Sequence, residues 1–418
     1  MTILQGILGL TAFTGLAWLL SEDRRSVSKR TVLAGLGLQL ALGLVLLELP
    51  AIQGLFIHLN KVVTAFEDST SAGAQVLFGY LSGGAAPFDM TNPAANYLLA
   101  FRGLPLVLFM SALSALLFYW KVLPLVVRGF SWALQRTMRI GGAEGVGVAA
   151  NIFVGMVESP LLIRPYLKDM TRSELFSIMT VGMATIAGTM LVLYANILGG
   201  VIPNALGHIL TASILSAPAA IVIAKIMVPE TGEVTSGRIA PPAEYRSAMD
   251  AITKGTMSGI QLLLSIVAMI IVLVAFVHLV NIVLGTFPDA GGRPVTLQRL
   301  LGYIMAPVMW LTGIPWSEAV TAGSLMGTKT ILNEFIAYVD LAGLGPGELG
   351  ERSRLIVMYA MCGFANPGSL GIMIGGMGSM VPERREEIVS LGIRAVVAGT
   401  IATCMTGTVA GLFTGWAG

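Results

Sequence analysis

The chain has 418 residues, of which 55% are hydrophobic and only 11% charged, and its mean hydropathy is +0.81. A soluble domain carries about 25% charged residues, so a water-soluble fold is excluded and lipid must be the solvent for much of the surface. The net charge of +2 points to neither nucleic acid nor an acidic partner, and Cys362 and Cys404, both in apolar runs, argue against a disulfide framework.

Runs without Asp, Glu, Lys or Arg cover residues 1–21, 31–47, 103–120, 255–288, 355–382 and 395–418, and residues 175–224 form an unbroken run of 50. A helical span needs about 20 residues, and backbone groups in hydrocarbon must be satisfied within the segment. Barrel strands would alternate in polarity. Eight spanning helices are therefore expected, at 3–20, 31–57, 96–120, 174–199, 205–228, 256–286, 353–379 and 386–416. The first reads as a retained span, because it lacks a basic start and SEDRR stands where a cleavage site would need small residues.

Orientation follows from the basic residues. With residues 21–30 in the cytoplasm, that side holds eighteen Lys and Arg, in groups at 24–30, 121–139, 164–172, 225–254 (Arg238 among them) and 384–394. The opposite side holds six: Lys61, Arg102, Arg293, Arg299, Arg352 and Arg354. Both termini are expected to face outward, in the inner (plasma) membrane.

Two stretches do not read as simple spans. Residues 121–164 run from a basic amphipathic segment into EGVGVAANIFVGMVESPLLIR, and residues 297–338 run from LQRLLGYIMAPVMWLTGIPW into SEAVTAGSLMGTKTILNEFIAY. Each has an interfacial helix, then Glu144 or Glu318, a short apolar half, a polar break with Glu158 or Glu334, and a second short half. The two glutamates are 14 residues apart in the first unit and 16 in the second. A Gly-interrupted span follows each unit. Three spans separate the units, so the second enters from the opposite side. Inverted repeats with broken helices mark secondary transporters, with the site where the breaks meet.

A carboxylate at membrane depth costs about 2.5–3.5 kcal/mol on insertion scales, so Glu158 and Glu334 need a compensating role. Either could cap the second half-helix of its hairpin. Their equivalent places in the two repeats favour contact with a ligand, and a carboxylate suits a neutral, hydroxyl-rich one. Asn366 and Ser369 flank Pro367 and Gly368, which break a helix and leave polar groups facing a cavity or a packed kink. Asn151 and Thr185 sit beside comparable interruptions, where small polar residues more often mediate packing than bind ions. Phe364 can stack on a planar ligand or simply pack. Gly407, Gly411 and Gly415 form a small-residue stripe suited to helix contact. GSLMGTKT lacks the spacing of a phosphate-binding loop, and His58, His208 and His278 stand too far apart to suggest zinc.

NIFVGMVESPL, NEF and CGFANPGS, in this order and spacing, resemble the concentrative nucleoside transporter family in its bacterial eight-span form. The likeness runs from the SEDRR loop through the PERREE loop. It implies an all-α integral membrane protein with eight transmembrane helices plus two re-entrant helical hairpins, at 143–164 and 317–338, in an inverted repeat. It further implies a homotrimer whose single membrane domain divides into a scaffold (mainly 1–120 and 205–286) and a mobile part. The mobile part comprises a first repeat at 121–200 and a second at 297–380, with 386–418 as the last span. Nucleoside would bind between the hairpin tips. Glu158 and Met190 would lie near the base, Phe364 against the ring system, and Glu334, Asn366 and Ser369 on the ribose hydroxyls. A sodium ion would be held by the Asn151 and Thr185 side chains and the Val154 and Ile186 carbonyls; Thr185 stands where the family often has Ser.

The family's first hairpin tip often reads GQTE, whereas this chain has Gly155-Met156-Val157-Glu158. A thioether and a branched alkane replace the groups that would read a pyrimidine edge, and Met there is similar to purine-preferring members. The resemblance thus implies sodium–nucleoside symport that accepts purines. One cation crossing roughly 100 mV supplies about 2.3 kcal/mol, and a tenfold gradient adds about 1.4 kcal/mol. One ion suffices for accumulation of a few hundredfold. Proton coupling through Glu158 or Glu334 is the alternative, and a membrane-embedded enzyme using both carboxylates the distant one.

Overall fold

The structure, a computed structural model, describes residues 3–89, 98–236, 245–289, 292 and 294–414, with backbone alone for 50–53, 55–60 and 63. Arg238, Arg293, Gly415 and the His58 side chain therefore lie outside the described residues. The fold is all-helical among the described residues. Among the described residues, six helical stretches are long and apolar enough to cross a membrane: Lys29–Glu48, Leu99–Tyr119, Arg172–Leu198, Ala205–Met227, Ala248–Leu284 and Pro382–Phe413. Ile3–Leu19 is apolar but only 17 residues long. The expected span at 353–379 consists of two helices, Glu351–Met361 and Pro367–Met380.

The expectation of a span at 31–57 needs correction. The helix ends at Glu48, Leu49 is extended (φ −78°, ψ 119°), and a new helix runs over Pro50–Phe78. Proline lacks an N–H and pushes the residue before it out of helical geometry, so the chain turns there although apolarity continues. The 29-residue helix that follows has no counterpart among the expected elements. The span expected at 256–286 begins earlier, at Ala248, because Ser247 caps it by accepting a hydrogen bond from the Asp250 N–H.

Within the windows that qualify them as spans, Arg172–Leu198 and Ala205–Met227 are 89% buried and Ala248–Leu284 only 6%. The first two form the centre of the molecule, while the third lies on its outside. Its contact with Pro105–Tyr119 runs through Gly255 and Gly259, where an added Cβ would meet Ala115, Ala112 and Ser111 at 2.7–3.0 Å. Small residues permit such close helix approach in membranes. Gly407 and Gly411 serve the same purpose against Ile356 and Ala360.

One end of the bundle is tied by charge. Glu22 accepts hydrogen bonds from Arg172 (2.9 Å) and Arg394 (2.6 Å), and the bonds from Arg172 hold its carboxyl below the usual range. Arg384 and Arg172 both reach Glu387. Thus three of the segments assigned to the basic side of the membrane converge in space. The same end holds a buried cluster in which Lys225 pairs with Glu144 at 3.1 Å and Glu230 at 3.0 Å.

Candidate functional site

The two repeats build their hairpins alike. The first comprises Gly142–Asn151, a non-helical turn, and Glu158–Leu162; the second comprises Trp316–Ile331 and Glu334–Gly343. In the second unit the preceding helix, Leu297–Thr312, meets Trp316–Ile331 at a bend of 116°. Each hairpin faces a broken span, interrupted at 185–187 in the first repeat and at 362–366 in the second. The breaks touch. The Gly188 N–H donates to the Phe153 carbonyl at 3.0 Å, and a Cβ on Gly188 would collide with that oxygen. A Cβ on Gly363 would sit 2.7 Å from the Met183 carbonyl oxygen, so the break of the second span crosses the first at the end of Arg172–Ala184, beside its own break.

At this crossing lies a cavity lined by Met156, Val157, Glu158, Met190, Glu334, Phe364, Asn366 and Ser369. These are all eight substrate-site residues expected from sequence, brought together from four segments. Most of the lining is apolar, with a few convergent polar groups, the usual make-up of a small-molecule site. The two outer glutamates do not reach it: Glu144 is buried against Lys225, and Glu318 accepts from the Gly350 N–H at 3.3 Å.

The two inner glutamates differ in setting. Asn333, not Glu334, caps the second hairpin half by accepting from the Ile336 N–H at 2.9 Å. Glu334 is thereby released from capping, and it is 5% exposed. Its Oε1 accepts from the Tyr194 hydroxyl at 2.6 Å and its Oε2 from Asn366 Nδ2 at 3.0 Å. Asn366 Oδ1 accepts from the Ser369 N–H at 2.9 Å, which fixes the amide and caps Pro367–Met380. A carboxylate has about four lone-pair sites, so after these two bonds Glu334 can still accept from a ligand. Glu158 is the first residue of its short helix half and lines the cavity, which favours the ligand-facing reading.

Sequence reasoning missed Tyr194 and the wall that the outer helix supplies. Tyr194 stands four residues after Met190 on the same helix face, a spacing that could have flagged it. Leu262, Ser265, Ile266, Met269 and Leu273 close the cavity from Ala248–Leu284. They form a helical stripe in a uniformly apolar run, where Ser265 is the sole polar signal.

Beside the cavity, Asn151 Nδ2 donates to Thr185 Oγ1 at 3.2 Å, and Thr185 Oγ1 donates to the Val181 carbonyl at 2.9 Å. Both residues are buried, and Asn151 Oδ1 has no hydrogen-bond partner among the described residues. A buried, unsatisfied oxygen is costly unless something is meant to meet it. Val154 and Ile186 lie in the adjoining non-helical stretches, where carbonyls are not claimed by a helix. This donor set, oxygen throughout, fits a hard cation.

Broken hairpins and broken spans enclosing a polar cavity at the centre of an apolar helical bundle define a membrane transporter built on an inverted repeat. The sequence matches the family described as Na+ dependent nucleoside transporter, C-terminus over residues 208–411 and N-terminus over 8–81, and a nucleoside recognition (Gate) domain over 100–201. The chain belongs to the concentrative nucleoside transporter family, whose members are transporters and not enzymes. It is 35% identical to the nucleoside permease NupC of Helicobacter pylori, over 99% of this chain and 98% of that one. It is 38% identical to the uncharacterized transporter YutK of Bacillus subtilis, over 99% and 100%. Identity to solute carrier family 28 member 3 of Homo sapiens is 36% over 97% of this chain and 59% of that protein. The fold is similar to that of CNTnw in an inward-facing substrate-bound state, with TM-score 0.92 and 35% identity over 100% and 99% of the two chains.

Proposed function

We propose that the protein is a sodium-coupled symporter that imports nucleosides, purine nucleosides included, across the inner membrane as a homotrimer with its termini outward. The observation that carries this reading is the held carboxylate of Glu334, aimed with Asn366 and Ser369 into a cavity otherwise walled by apolar side chains. Such a site gives hydroxyls strong acceptors and a planar ring an apolar slot. Sodium would sit at Asn151, Val154, Thr185 and Ile186, one hairpin turn from Glu158, so that ion and nucleoside binding order the same tip. Residues 121–200 and 297–380 would then move together as the transport part against the scaffold. The exposed apolar face of Ala248–Leu284 offers the scaffold a surface for association.

Proteoliposome uptake tests the coupling. A sodium gradient is expected to drive adenosine above its outside concentration, and collapsing the proton gradient should leave that accumulation unchanged. Accumulation without sodium that vanishes with a proton uncoupler would assign coupling to Glu158, the carboxylate open to the cavity.

Base preference follows from Met156 and Val157. An apolar wall discriminates weakly between rings, on the order of 10–200-fold at most, and the larger purine gains more from apolar contact. Purine nucleosides are expected to be taken up at least as well as uridine. The double change Met156→Gln with Val157→Thr should move the uridine-to-adenosine uptake ratio about tenfold toward uridine. A wild type that excludes adenosine, or a ratio unmoved by the double change, would remove these two residues from base recognition.

A further inference from the structure

Lys329 lies in the first half of the second hairpin, five residues before Glu334, and is fully buried. Its Nζ has no hydrogen-bond partner among the described residues. Glu334, Cys362 and Cys404 lie within Coulombic range of it. An unpaired ammonium at membrane depth is expensive, and side chains retained there mark ion pathways or counter-ions.

The inverted repeat shows what stands at the matching place in the first half. Asn151 ends the first half of its hairpin, and Thr185 is the residue at which its broken span unwinds. In the second repeat, Cys362 is the residue at which the broken span unwinds, and Lys329 lies in the last turn of the first hairpin half, near that cysteine. The two places are complementary. Among the described residues, the first repeat buries an acceptor oxygen with no donor, and the second buries a cationic group with no acceptor. Each repeat also contributes one carboxylate to the cavity, Glu158 in the first and Glu334 in the second.

We propose that Lys329 is a tethered cation that fills, in the second repeat, the place the coupling ion fills in the first. Its charge offsets that of Glu334, so only the first repeat needs a mobile cation, and one cation accompanies each nucleoside. The proposal rests on the reading of Asn151 and Thr185 as the ion site. It goes beyond that reading in assigning the stoichiometry to a residue of the other repeat.

The test is the charge moved per nucleoside, from simultaneous current and labelled-uridine uptake in proteoliposomes of the full chain. Wild type is expected to move about one elementary charge per nucleoside. Lys329→Met and Lys329→Gln, which keep the stem but not the charge, should raise that to about two, as a second sodium ion or a proton takes the vacated place. A purely packing role predicts one charge per nucleoside in the variants and overturns the proposal. Two charges in the wild type overturn it as well, even if neither variant folds. Failure of the underlying reading looks different: Asn151→Ala would leave sodium dependence untouched while the charge count still responds to Lys329.

Discussion

Glu334→Gln is expected to cut nucleoside uptake at subsaturating concentration by about 100-fold or more while the protein stays folded in the membrane. Two ribose hydroxyls bonded to a carboxylate, at about 1.5 kcal/mol or more each, account for about two orders of magnitude in affinity. The geometry makes the amide worse than a neutral copy. Glu334 accepts from both the Tyr194 hydroxyl and the Asn366 amide, one on each oxygen. Glutamine has a single acceptor oxygen, so one of those donors would face an NH2 group. The Asn366 amide would then lose the partner that fixes it, and with it the orientation of the Ser369 end of the clamp. Tyr194→Phe is the graded control: it removes one donor, leaves the charge, and is expected to cost about tenfold. Free nucleobases, which lack the ribose, should compete poorly with nucleosides, since a site built for hydroxyls rejects analogues without them. Nucleobases that compete as well as nucleosides would detach Glu334, Asn366 and Ser369 from the ribose.

What sequence made visible about this site is what polarity makes expensive. Glu158, Glu334 and Asn366 stand out in apolar runs because hydrocarbon penalises them, and their breaks stand out because Pro367 and the glycines cannot continue a helix. Residues that cost nothing in lipid leave no such trace. Tyr194 reads as one more packing aromatic until its hydroxyl is seen on Glu334, and Met269 reads as one more apolar residue of a span until it closes the cavity. The division of labour between Asn333 and Glu334 is equally silent, since either type can cap a helix. In the fold, apolarity alone overran Pro50. The helix Pro50–Phe78 went unread because Lys61, Glu67 and Asp68 interrupt its apolar residues and it has no span-like stretch. Glu144 was legible only as the glutamate that opens its repeat's hairpin; its burial against Lys225, far along the chain, comes from packing alone.

Asn151→Ala and Thr185→Ala are each expected to raise the sodium concentration for half-maximal uptake by on the order of tenfold, a loss of about 1.4 kcal/mol of ion binding per oxygen removed. The two side chains are not equivalent. Asn151 Oδ1 is buried without a partner among the described residues, so its removal deletes an acceptor that no other group there occupies. Thr185 Oγ1 already donates to the Val181 carbonyl and accepts from Asn151 Nδ2. Its loss therefore also releases Asn151, and the double variant should be less than additive because the two share one contact. Thr185→Ser keeps the hydroxyl and should stay close to wild type. Nucleoside affinity measured at a fixed, subsaturating sodium concentration should fall in both alanine variants, because coupling between two binding equilibria is reciprocal. At saturating sodium it should recover, since neither side chain lines the cavity itself. That recovery is the decisive observation. A nucleoside affinity that stays low at every sodium concentration would mean that the alanine changes have collapsed the hairpin tip, and Asn151 and Thr185 would then be packing residues holding the Gly188 N–H against the Phe153 carbonyl.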